Sequence, residues 1–325
     1  MKSTERPLRR MAALLLLAAL LLGLGGCAVR AGGGPYSVYL IVKSTETEFW
    51  KSVFAGANAA KSTYNVELTV LGPETEEDYA LQNDYIRQAI DAEADAIIFS
   101  AISYTENAAA IDAAVAAGIR VVVIDSDVDS DGVSARIGTD NVAAGRMSAG
   151  AALDTDLTRI VVGIINCFAE TQNGQEREQG FREVLLEDAR VAGIYTVNVS
   201  TDRRAARQAA EQLLREHPEI NVLVGFNEPL AVGTAQAVHA LGLEGKVRTI
   251  AFDTNVKCIE LLQEGAVSAL VVQNPYAMGY LGVETAWQVL QGQSFDRDLI
   301  DTATRIVTRD DMFTPENQKA LFSFG

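Results

Sequence analysis

The sequence predicts an α/β protein of two similar Rossmann- or flavodoxin-like lobes, each a parallel sheet with helices on both faces. Three observations carry this. Strand-type and helix-type segments alternate from Ser37 onward. The runs Ala96-Ile97-Ile98-Phe99 and Val121-Val122-Val123-Ile124 are apolar at every position, as strands buried on both faces are. The same alternation begins afresh near residue 159, with no low-complexity segment or long linker between the halves.

The first stretch sets the pattern. Residues 37–42 are β-branched and aromatic enough for a buried strand, and a polar turn follows. Thr45 and Glu48 have capping-box spacing, so a helix is expected to begin near Thr47. Trp50, Val53, Phe54, Ala57 and Ala60 then recur at helical spacing, with Phe49 just off that stripe. Further strands are expected at 65–71, 95–100, 120–124 and 133–138, with helices at 48–63, 76–92 and 105–117. Gly118 is a good residue just past a helix end.

The second set has strands near 159–165, 191–197, 221–225 and 248–252. Its helices fall near 174–188, 202–216, 229–240 and 255–264. A strand at 267–272, a helix at 276–291 and a short strand at 304–308 follow. This late return implies discontinuous lobes, 36–138 with 274–303 and 139–273 with 304–325. Crossovers near 138–140, 272–275 and 302–304 would act together as a multi-strand hinge, with an interdomain cleft for a ligand.

The chain has 325 residues, 48% of them hydrophobic and 22% charged, which suits a large globular core. Its net charge of −16 argues against nucleic-acid binding, which needs a basic face. Residues 1–26 have the form of a signal peptide. Lys2, Arg6, Arg9 and Arg10 precede an apolar run from Met11 to Leu22 that is too short to span a bilayer comfortably. The segment ends in Leu24-Gly25-Gly26-Cys27, which resembles a bacterial lipoprotein signal in which Cys27 is lipidated. Residues 27–35 would then be a Gly-rich tether. Removal of 1–26 leaves 23 basic and 42 acidic residues, near −19. Cys167 and Cys258 remain, read as buried free thiols, although export permits a disulfide.

Catalytic and metal signatures are missing. The two histidines, His217 and His239, have no Cys, Asp or Glu at zinc-ligand spacing. No Gly-x-Ser-x-Gly elbow occurs. Gly245-Lys246-Val247 lacks the Ser/Thr and the upstream Gly of a phosphate loop. The Asp127-to-Gly132 run starts like a calcium loop, but Gly138 stands where its Glu is required, so a solvated turn is expected. No enzyme activity and no cofactor are expected.

Polar residues instead collect just past the carboxyl ends of the expected strands, where open α/β sheets bind ligands. These are Thr47, Phe49 and Trp50 after the first, Asp125 and Ser126 after the fourth, Gln175 after the sixth and Thr201 after the seventh. Asn227, Asp253 and Gln273 follow the eighth, the ninth and the late strand. Carboxylates and amides bond several hydroxyls at once, and aromatics cover the C–H face of a sugar ring, so the mixture suits a neutral polyol. Asp125, Asn227 and Asp253 are also residue types that merely cap helices, and Phe49 and Trp50 are equally suited to core packing.

Nearly the whole mature chain, about 36–323, resembles the type 1 periplasmic binding proteins of the ribose-binding kind, the substrate-binding lipoproteins of sugar ABC transporters. The resemblance rests on Phe49-Trp50, Ile124-Asp125, Gly138-Thr139-Asp140-Asn141 with Gly145, Gln179-Gly180-Phe181, Gly225-Phe226-Asn227, Phe252-Asp253 and Val272-Gln273. It implies stacking roles for Phe49 and Trp50 and sugar-hydroxyl contacts for Asp125, Asn227, Asp253 and Gln273, with Thr47 where some members have Asn. It also marks two departures. Ser126 stands where ribose-type members often have Arg, and Gln175 stands where they often have another. Arg177 is about 200° round the helix from Gln175 and is a poor substitute for it.

The resemblance implies an exported monomer, lipid-anchored to the outer face of the cell membrane or periplasmic. It would capture a small sugar or polyol by hinge closure and deliver it to ABC permease subunits. A ligand sensor docking on a membrane receptor or histidine kinase is the alternative. A related DNA-binding repressor would carry a helix-turn-helix in place of 1–36, and an exported enzyme would turn its ligand over.

Overall fold

The computed structural model describes residues 34–296 and 299–322. The signal segment and Cys27 lie outside the described residues, as do 297–298 and 323–325. The first sheet contains β1 (Tyr36–Ile41), β2 (Val66–Leu71), β3 (Ala96–Phe99), β4 (Arg120–Ile124), β5 (Ala135–Gly138) and the late β11 (Leu299–Asp301), in the order β2-β1-β3-β4-β5-β11. All its pairings are parallel. The second contains β6 (Ile160–Cys167), β7 (Val191–Val199), β8 (Val222–Gly225), β9 (Arg248–Phe252), β10 (Ala269–Val272) and β12 (Arg305–Thr308), in the order β7-β6-β8-β9-β10-β12. The two sheets therefore share one strand order, with the doubly wound reversal beside the first strand of each. They differ at one edge, where β12 runs antiparallel to β10.

The helices are α1 (Glu48–Tyr64), α2 (Tyr79–Asp91), α3 (Ala108–Ala116), α4 (Asn141–Leu153) and α5 (Gln172–Leu185), followed by α6 (Arg203–Glu216), α7 (Glu228–Ala240), α8 (Val256–Glu264), α9 (Pro275–Leu290) and α10 (Pro315–Leu321). None among the described residues is long and apolar enough to cross a membrane. Two of them change sheets. α9 follows β10 of the second sheet, yet Val283, Ala286 and Val289 pack in the core around β1, β3 and β4. α4 follows β5 of the first sheet, yet Ala144, Ala149 and Ala152 pack with Ile164, Val224, Ile250 and Val271 of the second. Each of these helices thus packs in the lobe that the chain has just crossed into.

α4, β11 and α10 were not expected from the sequence. α4 lacks a broad apolar stripe because it packs through small residues. A Cβ on Gly145 would stand 2.2 Å from the Arg177 carbonyl oxygen of α5, and one on Gly180 would stand 2.0 Å from that of Val142. The expected capping box of α1 is also absent. The helix does start after Thr47, but Thr47 makes no side-chain cap, and Thr45 hydrogen-bonds the Glu46 carboxylate at 3.2 Å instead.

Three crossings join the lobes and are bonded to one another. Thr302 donates to the Gly138 carbonyl through both its N–H (2.8 Å) and its hydroxyl (3.0 Å). Thr139 donates to Gln273 Oε1 at 2.8 Å.

Candidate functional site

The parallel strands of both sheets point their carboxyl ends into one cleft between the lobes. Its empty volume is ≈ 390 Å³ including the open mouth. Thr47, Phe49, Trp50, Asp125, Asn227, Asp253 and Gln273 all line it. Trp50 is both wall and core: it is fully buried, meets Phe49 edge-on at 5.1 Å, and donates its indole N–H to Glu76 at 2.9 Å.

Asp125 and Asp253 occupy equivalent places, each one residue past the fourth strand in its sheet's order. Both have left-handed backbone, with φ of 60° and 68°. Each N–H bonds back to the neighbouring strand, Asp125 to the Ile137 carbonyl at 3.0 Å and Asp253 to that of Val271 at 2.9 Å. The left-handed turn lifts each carboxylate over its sheet edge, and Asp tolerates that conformation better than most residues. Neither caps a helix: Asn255, and not Asp253, caps α8. Asn227 does cap α7, accepting from Leu230 N–H at 3.1 Å, so the capping reading holds for it alone of the three.

On the first lobe's side, Lys43 sits just past β1. Its Nζ lies 3.0 Å from Asp125 and 3.8 Å from Glu76, and 5.9 Å from the Trp50 ring centroid. Burial pushes the lysine pKa down, but Asp125 and Glu76 outweigh it and the net shift is upward. Asp125 also accepts from Ser100 at 3.1 Å and from Asn173 of the other lobe at 3.2 Å.

The second lobe's floor is a chain of hydrogen bonds. Arg177 is 2% exposed, stacks 4.8 Å from the Phe252 ring centroid, and donates to Asn141 at 3.0 Å, to the Phe226 carbonyl and to Gln273 Oε1 at 2.9 Å. Gln273 passes the chain on by donating its amide to Asp253 Oδ1. Asp253 Oδ2 accepts from the Glu228 N–H at 2.8 Å. Burial pushes the Asp253 carboxyl up to about 6, against the opposing pull of Arg177 and Gln273. Cys167 also lines the cleft, and burial raises its thiol pKa despite nearby Lys43. Cys167 and Cys258 are both free and buried.

Three expected residues do not line this cleft. The Ser126 side chain is buried beyond the turn at Asp125. Gln175 is on a different face of α5 from the lining residues Asn173 and Arg177, which are one helical turn apart. This corrects the expectation for that helix: Arg177, and not the position of Gln175, enters the cleft. Thr201 lies further out, in an outer mouth that also includes Thr47 and Glu228. Its N–H donates across the lobes to the Glu77 carboxylate at 3.1 Å. Sequence reasoning missed Lys43, Glu76, Asn173 and Glu228, and set Arg177 aside. Lys43 follows the same strand-end rule that found Asp125, and Asn173 with Arg177 has the i, i+4 spacing of one helix face.

The lobes are closed on each other. Besides Asn173 to Asp125, Tyr104 N–H donates to the Glu170 carbonyl at 3.0 Å and the Thr171 hydroxyl to that of Ile102 at 3.3 Å.

Comparison with known proteins matches this architecture. A family model described as "Periplasmic binding protein domain" matches residues 38–294. The chain is 28% identical over 286 residues to the D-ribose/D-allose-binding protein of Pseudomonas aeruginosa, covering 83% of this chain and 88% of that one. A carbohydrate transporter solute binding protein from Agrobacterium radiobacter, solved in complex with D-arabinose, superposes with a TM-score of 0.84 at 26% identity, over 89% of this chain and all of the other. An ABC transporter solute binding protein from Agrobacterium vitis with bound D-fucose also gives 0.84, at 28% identity, over 88% of this chain and 99% of the other.

Proposed function

The chain belongs to the periplasmic binding protein family, and from that premise we propose that it is an extracytoplasmic solute-binding protein that captures a small sugar and delivers it to an ABC permease. One observation carries the reading. Two carboxylates held in left-handed turns, one from each lobe, face a single cleft beside an aromatic wall.

Phe49 and Trp50 cover the apolar face of the sugar ring. Asp125 and Asp253 accept from its hydroxyls, while Asn227 and Gln273 can accept or donate. A ligand that bonds both lobes favours the closed form over the open one by its differential affinity. The hinge is the three bonded crossings, and the lobes are 36–138 with 274–303 and 139–273 with 304–325, in keeping with the sheet memberships. The transport names of the relatives favour permease docking over a sensory partner. Export, lipid attachment at Cys27, a monomeric state and the absence of turnover complete the proposal.

The test is thermal denaturation of residues 28–325 against a panel of pentoses, hexoses and inositols. A ligand at 100 times its Kd stabilises the folded state by about 2.7 kcal/mol, a shift of several degrees. A well-folded protein that no sugar in the panel stabilises would refute the reading.

A further inference from the structure

Glu228 is the first residue of α7 and is 1% exposed. Its Oε1 is fully engaged, accepting from Asn255 Nδ2 and from Arg203 Nη2, each at 2.6 Å. Its Oε2 is buried and has no hydrogen-bond partner among the described residues. A carboxylate oxygen left without a donor away from water is costly, so such an atom on a residue that lines a ligand cleft marks a place for a donor. Glu228 lines both the inner cleft and its outer mouth, and so stands at the neck between them. The mouth is acidic: Glu46, Glu74, Glu76, Glu77 and Asp202 line it, and Arg203 is the single cation among the described residues that do. That cation is already committed to Glu228 Oε1.

We propose that Glu228 contacts the ligand and sets its charge class: Oε2 accepts a hydrogen bond from a hydroxyl or amino group of a neutral or amino-bearing sugar, and Glu228 with the acidic mouth rejects sugar acids. This rests on the sugar-capture reading and deepens it. A carboxylate fixed at the neck bonds a donor and repels a ligand carboxylate at the same place. Asp253 is tied to the same point, since the Glu228 N–H holds its Oδ2.

The test is calorimetric titration of wild type, Glu228→Gln and Glu228→Asp with the best-binding neutral sugar of a panel, its amino analogue and its uronic acid. Glu228→Gln is expected to bind the neutral sugar about 10-fold or more weakly, the loss of a hydrogen bond to a charged group. It should also narrow the wild-type preference for the neutral sugar over the uronic acid. Glu228→Asp keeps the charge but withdraws the oxygens, so it should lose affinity while still rejecting the acid. It also serves if the Gln variant fails to fold. A Gln variant with wild-type stability that binds within about threefold of wild type and discriminates equally would overturn the proposal. A wild-type protein that binds no sugar at all would instead overturn the sugar-capture reading on which it rests.

Discussion

Asp253→Asn offers a direct reading of the cleft's electrostatics. The side chain is buried, and its carboxyl is raised from 3.8 to about 6, chiefly by desolvation. A raised carboxyl binds its proton more tightly in the folded than in the unfolded chain. The protonated form is therefore the stabilising one, and that stability is lost as pH rises from about 4 through about 6. A shift of about 2 pH units corresponds to about 3 kcal/mol in all, of which about 2 kcal/mol falls between about pH 4.5 and 7.5. Asn removes the titration and still tolerates the left-handed backbone at φ 68°. It places an amide beside either the Gln273 amide or the Glu228 N–H, which costs a constant amount at every pH. The slope, and not the offset, carries the test. Urea unfolding of both proteins at four pH values should show the Asn variant gaining about 2 kcal/mol on wild type across the interval. Parallel pH profiles would show that Arg177 and Gln273 fully offset the burial, and the reasoning would fail.

Three further outcomes follow from the same geometry. Lys43→Met leaves the Asp125 carboxylate, 4% exposed, with Ser100 and Asn173 as its side-chain donors among the described residues; unfolding should show a loss of about 3 kcal/mol, and a loss below about 1 kcal/mol would contradict the buried pair. Asp125→Ala and Asp125→Asn should both abolish sugar binding in a titration, but Ala should be less stable than Asn by about 1 kcal/mol, because only Asn suits φ 60°. Gly279→Ala would put a Cβ 1.9 Å from the Val53 carbonyl where α9 crosses α1, and melting should reveal a loss of at least about 1–3 kcal/mol with no change in ligand selectivity.

The elements that sequence made legible are those with strong periodicity. β3 and β4 announce themselves as apolar runs, and α1 and α6 as amphipathic stripes. The strand-end rule placed Asp125, Asn227, Asp253 and Gln273 in the cleft because a parallel sheet delivers every strand's carboxyl end to one edge. α4 stayed hidden because a helix built of Ala, Gly and Ser for close approach to α5 has no apolar stripe to detect. β11 is three residues long and became visible only through its pairing with β5.

The two α/β lobes, their late-returning strand and helix, and the polar strand ends are dictated by hydrophobic patterning, which is a local property of the chain. Tertiary structure alone decided which neighbours those strand ends meet. Lys43 pairs with Asp125 across two strand ends 82 residues apart in sequence, and Arg177 reaches Gln273 across 96. It also decided that Asp125 and Asp253 turn left-handed, and that one oxygen of Glu228 is buried without a donor among the described residues. These depend on packing between distant segments and on the desolvation it imposes, and no local pattern of residue types encodes either.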